Sequence, residues 1–266
     1  MYFPTQEAFL KLAAQGNLIP VTRRLLADLE TPLSAYRKIR GQGESFLFES
    51  VEGGEHLGRY SFVGCNPRAI IRQIDKRVEV IEGGKVVETC FVSREPAADG
   101  SLHFRDGLQV VEGMLKRYRA VPLPGLPRFT GGAVGFIGYE FIHDIEPVVP
   151  RPPRDELHTP TMYFLIADQL LVFDRVAQTL TVLVNAVLDG KTSAAEAYEE
   201  ARAEIERIVI LLEQPCKYQP VGLPAEVASV PVASNVSKEK FIANVRKSKD
   251  YITAGDIIQV VGSQRF

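Results

Sequence analysis

Neither sign of charge predominates in this chain. Across 266 residues, 31 lysines and arginines stand against 33 aspartates and glutamates, a formal net charge of -2. There is no basic field to attract a phosphate backbone and no acidic tail, so nucleic-acid binding is not expected. Cysteine is scarce as well: Cys65, Cys90 and Cys216 are far apart and odd in number. Without a CxxC pair or a Cys/His cluster, a disulfide framework and a structural zinc site are both disfavoured, and a reducing compartment fits best. No apolar run approaches the roughly 18 residues of a membrane span. The opening MYFPTQEAFLKLAAQGN has no basic stretch ahead of an apolar one. These absences lead to the expectation of a soluble cytoplasmic protein with no membrane attachment.

What is present is ordinary globular material. With 45% hydrophobic and 24% charged residues the chain is able to build a core. Its length suits one large domain or two small ones of roughly 100–200 residues. Thr5 to Gln15 has Phe9, Leu10 and Ala13 at helical spacing behind a capping Thr, and Leu18 to Leu26 reads as extended. Thr31-Pro32 opens a helix through Ile39, because proline at the first helical position loses no hydrogen bond. From Ser45 the pattern turns to strands at Phe46 to Val51, Tyr60 to Val63 and Ala69 to Ile74. A hairpin follows, Val78 to Ile81 against Val86 to Val92, around Glu82-Gly83-Gly84-Lys85, where glycines supply the positive φ of a tight turn.

A helix over Gly107 to Tyr118 follows from the spacing of Leu108, Val111, Met114 and Leu115, and prolines at 122, 124 and 127 end it. The stretch Pro147 to Pro160 reads as an irregular connection, and then Thr161 to Phe173 and Thr179 to Val187 as two long strands. Ser193 to Leu212 has the apolar stripe of an amphipathic helix, and Gln214 to Asn235, with four prolines, reads as a linker. Ser237 then caps a helix that stops at Gly255, and Ile257 to Val261 is expected to be a strand. With no partner in sight for that strand, the chain is expected to be incomplete at its carboxyl end.

Few residues carry legible chemistry. The glycine-dense TGGAVGFIG at 130–138 lacks the Gly-Lys-Ser/Thr of a P-loop and does not form GxGxxG, so a strand with close backbone packing is expected there. His56, His103, His143 and His158 show neither HxH nor HxxxH spacing, and no Ser or Cys lies in a GxSxG elbow. The carboxylate pairs Glu199-Glu200 and Asp155-Glu156 fall on a helix face and in a proline-rich loop, where solvation explains them. No candidate metal-ligand set emerges.

Two segments are more specific. Phe46 to Gly64 (FLFESVEGGEHLGRYSFVG) resembles the amino-terminal signature of the large subunit, component I, of anthranilate synthase; Ala254 to Phe266 (AGDIIQVVGSQRF) resembles the opening strand of that family's chorismate-binding domain. TGGAVGFIGYE at 130–140 and LETPLSAY at 29–36 are similar to the same family, in the same order. The resemblance implies an α+β fold of mostly antiparallel sheets flanked by helices. It also implies residues 1–213 as a regulatory and subunit-contact region, 214–236 as a linker and 237–266 as the start of the chorismate-binding domain. The implied reaction converts chorismate and ammonia, drawn from glutamine by a partner amidotransferase subunit, to anthranilate and pyruvate with Mg2+.

By the same resemblance Glu49 and Ser50 help bind the feedback inhibitor L-tryptophan, with Arg59 the matching basic residue. Gln259 stands near the site of the nucleophile, where related isochorismate synthases have a water-activating Lys. An amide is no general base near neutral pH, which suits ammonia arriving already nucleophilic. Val261 separates the chain from aminodeoxychorismate synthases, which tend to have Asn there, whereas Gly262 departs from the family's Leu. The family's magnesium-binding glutamates and catalytic histidine lie beyond Phe266, so the chain alone is expected to be inactive. Two alternatives stay open: a non-catalytic module that senses an amino acid or docks a partner, and a fragment of aminodeoxychorismate synthase.

Overall fold

A computed structural model of the chain describes every residue except 42, 50–57, 94–102, 147, 151–154, 156, 217–221 and 223–229. It divides into two units, Met1–Lys217 and Tyr218–Phe266. In the first unit, β1 (Tyr2–Phe3), α1 (Gln6–Leu12), β2 (Leu18–Leu26) and α2 (Pro32–Ile39) lead into β3 (Ser45–Phe48), β4 (Tyr60–Cys65) and β5 (Ala69–Ile74). Then come β6 (Arg77–Glu82), β7 (Lys85–Val92), the two-residue β8 (His103–Phe104), α3 (Leu108–Lys116), β9 (Gly132–Ile137), a 3-10 turn at Tyr139–Phe141 and α4 (Ile142–Ile145). β10 (Met162–Ala167), β11 (Gln169–Asp174), β12 (Thr179–Val187) and α5 (Ala194–Glu213) complete the unit.

Two six-stranded sheets result, in the orders β1-β2-β12-β11-β4-β3 and β8-β7-β6-β5-β10-β9. All pairings are antiparallel except β7 with β8. The fold is therefore α+β, antiparallel sheets flanked by helices, as the resemblance implied.

The first sheet is covered on both faces, which explains why β11 and β12 are buried at nearly every position instead of alternating. On one face Phe9 of α1, Ala35 and Ile39 of α2, and Ala197, Ala201, Ile205 and Ile208 of α5 pack onto Val63, Leu171, Leu180 and Val182. On the other, Leu170, Val172 and Leu183 meet Phe46, Phe62 and Phe129. α5 is set in place by a capping box: Ser193 Oγ accepts from Glu196 N while Glu196 accepts from Ser193 N. The second sheet packs Ile71, Val78, Val80 and Met162 against Val110, Val111 and Met114 of α3.

The stretch Thr161 to Phe173, expected as one strand, is two. At Asp168 the chain leaves the second sheet and enters the first, so β10 and β11 belong to different sheets. The same crossing occurs between β4 and β5, where Asn66 adopts φ 48. An ion pair, Arg68 Nη2 to Asp168 Oδ2 at 2.7 Å, ties the two crossings together. A polar residue in the middle of an apolar run is the local cause, since a buried carboxylate needs a partner and cannot stay in the ladder's apolar face. The strand expected over Phe46 to Val51 ends at Phe48, with 50 and 51 outside the described residues.

In the second unit Ser237 caps α6 (Lys238–Ala254) through its Oγ, and Gly255 closes it at φ 82, a left-handed conformation that favours glycine. The expected strand Ile257 to Val261 does not form. Residues 257–266 carry no ladder hydrogen bonds, and Ile258 and Val261 are 96% and 83% exposed. A strand exists only by pairing, and among the described residues no neighbouring backbone pairs with it. The segment is held instead at its far end, where Asn235 N donates to Arg265 O at 3.0 Å and Arg265 N to Asn235 Oδ1 at 2.8 Å.

Candidate functional site

The end of β3 and the start of β4 form one corner of the first sheet. Register places Phe46 opposite Gly64 and Phe48 opposite Phe62. Gly64 is required there, because a Cβ would lie 2.1 Å from the Phe46 ring. β3 is an edge strand, and Glu49 follows it directly at the exposed surface. Ser50 and His56 lie outside the described residues.

Arg59 sits just before β4 and reaches across to the turn that joins β11 to β12. Its Nε donates to Asp174 Oδ1 at 3.0 Å and its Nη2 to Asp174 Oδ2 at 2.7 Å, a two-pronged pairing that matches guanidinium to carboxylate geometry. The Arg59 guanidinium also lies 5.0 Å from the centre of the Tyr60 ring. Asp174 accepts the Val176 and Ala177 amides, both at 3.1 Å, and so shapes the turn. The hydrogen bond from Arg59 is the main cause that holds the Asp174 carboxyl below its ordinary range. The next residue, Arg175, donates its backbone N–H to Arg59 O at 3.0 Å, and its Nη2 lies 3.8 Å from Glu49 Oε1. Beside this corner a cavity of about 330 Å3 is lined by Ala27, Thr31, Pro32, Phe173, Asp174 and Arg175, among others.

A second, more polar cavity of about 710 Å3 opens at the crossing between the sheets, with Asn66, Arg68, Asp168, Gln169, Asn185 and Glu204 on its walls. Burial pushes the Asp168 carboxyl up, and the Arg68 partner only partly offsets it. Asp168 Oδ1 and Gln169 Oε1 are buried there without hydrogen-bond partners.

The structure brings together two of the residues singled out from sequence: Glu49 and Arg59 meet the same turn, through Arg175 and Asp174 respectively. Gln259 lies in the second unit, exposed, in the extended segment after α6. His143 Nδ1 contacts Val149 O at 3.1 Å, and His158 Nδ1 stands 3.8 Å from Asp155 Oδ2, local contacts that position loops. No group of three or more His, Cys, Asp or Glu among the described residues is arranged to hold a metal ion, so they do not fit a magnesium site. No described helix is long and apolar enough to cross a membrane. Sequence reasoning missed Asp174 and Arg175, which read as a plain turn; nothing local signals that the first pairs with a residue 115 positions away.

In the glycine-dense segment 130–138, Gly132–Ile137 form strand β9. A Cβ on Gly135 would lie 1.9 Å from Tyr163 O, so β9 and β10 approach each other only because that residue is glycine.

A family model described as chorismate binding enzyme matches residues 48–266. Anthranilate synthase component 1 of Acetivibrio thermocellus is 33% identical over 269 residues, covering 100% of this chain and 51% of that protein. The protein of the same name from Synechocystis is 38% identical over 275 residues, with 100% and 51% covered. That from Pseudomonas aeruginosa is 37% identical over 265 residues, with 98% and 50% covered. The chain thus spans about half the length of the curated relatives it matches. Among solved structures, anthranilate synthase component I from Streptococcus pneumoniae superposes with a TM-score of 0.50 at 22% identity, covering 88% of this chain and 46% of that one.

Proposed function

The chain belongs to the chorismate-binding enzyme family, and from that membership we propose that it serves as the amino-terminal half of an anthranilate synthase component I. The reaction of the complete protein is then chorismate plus ammonia giving anthranilate, pyruvate and water. A glutamine amidotransferase subunit supplies the ammonia in the cytoplasm, and magnesium is held by residues outside this sequence. The single observation behind this reading is the alignment with component I relatives over the full length of the chain.

Gln259 agrees with it. A neutral amide neither takes nor gives a proton near pH 7, so the residue suits a site whose nucleophile needs no activation by a base. The 266-residue chain by itself is expected to make no anthranilate.

The corner formed by β3 and β4 is read as the place where L-tryptophan acts as feedback inhibitor. Glu49 offers an acceptor for the ammonium, Ser50 a hydroxyl that both donates and accepts, and Phe46 and Phe48 an apolar wall. Arg59 belongs to the site as the residue that fixes Asp174 and the adjoining turn. Replacing Ser50 by Phe removes a hydrogen bond and fills space, which should weaken inhibition on the order of 30-fold to 1000-fold.

Complementation tests the reading. The complete protein that contains this chain, expressed in a host that lacks its own component I, should restore growth without tryptophan, and the 266-residue chain alone should not. Failure of the well-expressed complete protein to do so, or rescue only of a host that lacks aminodeoxychorismate synthase, would overturn it.

A further inference from the structure

We propose that the cavity where the chain crosses between its two sheets is a binding site for a small organic cation bearing primary ammonium groups. The chain passes from one sheet to the other twice, between β4 and β5 and between β10 and β11, and both passages reach this cavity through Asn66, Arg68 and Asp168. At about 710 Å3 it has the size of a small-molecule pocket, and it stands where two sheets and a helix meet, a usual place for one. α5 leaves it open by lining it with Ala197 and Ala201, and sets Glu200 and Glu204 beside them at the same helical spacing.

Donors are what its innermost residues lack. Asp168 and Gln169 are only 8% and 9% exposed, and Asp168 Oδ1 and Gln169 Oε1 have no hydrogen-bond partner. The N–H groups beside them are engaged elsewhere: Arg68 Nη2 on Asp168 Oδ2 at 2.7 Å, Asn185 Nδ2 on Thr130 O at 2.7 Å and Asn185 N on the Asp168 backbone carbonyl at 2.8 Å. Buried acceptors left unpaired cost stability, and a ligand that brings N–H donors removes that cost. The sign of its charge follows from the walls, which carry five carboxylates against three cationic side chains among the described residues. One of those cations, Arg68, is already taken by Asp168. Burial pushes the Asp168 carboxyl up and Arg68 offsets only part of it, so a bound ammonium supplies the positive charge that is still wanting. A bare metal ion does not suit the place: no three His, Cys, Asp or Glu among the described residues converge as ligands, and the volume far exceeds that of one ion.

The test is equilibrium dialysis of the complete protein that contains this chain against labelled putrescine, a four-carbon diamine, with butanediol, of the same length but uncharged, as competitor. Wild type should bind putrescine, melt at a higher temperature in its presence and release none of it to butanediol. Gln169→Met removes a buried acceptor and keeps the side-chain length. The unliganded variant should therefore be at least as stable as wild type, yet bind putrescine about 3- to 10-fold more weakly, a pairing of effects that a purely structural role for Gln169 would not produce. Asp168→Asn should weaken binding about 10- to 100-fold through loss of the charged acceptor, and if it melts early for want of its pair with Arg68, Gln169→Met decides the matter. No binding by wild type, displacement by butanediol as effective as by unlabelled putrescine, or unchanged affinity in either folded variant would overturn the proposal.

Discussion

Replacing Gly135 by alanine should pull apart the edge of the second sheet. Gly135 lies opposite Phe164 in the β9–β10 ladder, and a Cβ there would sit 1.9 Å from Tyr163 O and 2.8 Å from Phe164 Cα. Both neighbours are backbone held by the ladder, so neither is able to swing aside as a flexible side chain would. β9 is an edge strand and has one way to yield, which is to peel from β10. Overpacking of this kind costs about 1–3 kcal/mol, and each ladder hydrogen bond lost adds roughly 0.5–1.5 kcal/mol. A total of about 2–4 kcal/mol is expected, which for a unit of this size lowers Tm by roughly 5–15 °C. Gly113 provides the internal control. It lies in α3 with no heavy atom within 4 Å of an added methyl, so Gly113→Ala should stabilise by about 0.5–1 kcal/mol through helix propensity. Urea titrations followed by circular dichroism and tyrosine fluorescence read both changes, since the chain has no tryptophan. A Gly135→Ala midpoint equal to wild type would refute the close-packed strand and reopen the phosphate-loop reading of the 130–138 segment.

Three further outcomes follow from the same structure. The Asp174 carboxyl is held below its ordinary range by Arg59, so its contribution is present above the unfolded value of about 4 and is lost as pH falls through the lowered folded value; the acid limb of stability against pH should be shallower in Asp174→Asn, and identical limbs would contradict the pairing. Burial pushes the Cys65 and Cys90 thiols up to about 11; in native protein at pH 8 a thiol reagent should label Cys216 first, the one of the three that is not buried, and rapid labelling of Cys65 would count against the core. Amides of Ile257 to Val261 carry no ladder hydrogen bonds and should exchange fast in the isolated 266-residue chain, whereas slow exchange in a monomeric sample would show that the segment has a partner.

Much of the architecture was legible because it is local. Leu18 to Leu26 and Pro32 to Ile39 form with the expected bounds, the one from its extended apolar run and the other from a Thr cap and a proline in the first turn. The Gly83-Gly84 turn closes the β6–β7 hairpin with φ of 56 and 76. Features that depend on distant partners were not legible. Thr161 to Phe173 reads as one apolar strand, and only the other sheet crossing, with Arg68 on it, makes Asp168 the point where the chain changes sheets. Ile257 to Val261 has the composition of a strand, but composition does not supply a neighbour. The candidate site divides in the same way: Glu49 and Arg59 are marked by their own segment, while Arg175 joins them through a contact between residues 126 positions apart in the chain, Glu49 and Arg175.

The products of one reaction bear most directly on the proposed role in anthranilate synthesis. The complete protein of which this chain is proposed to be the amino-terminal half, incubated with chorismate, ammonium and magnesium, should release anthranilate, read by its fluorescence and confirmed by mass, together with an equal amount of pyruvate, and the 266-residue chain alone should release none. Turnover of chorismate to aminodeoxychorismate without pyruvate, or no turnover by a folded preparation of the complete protein, would contradict it.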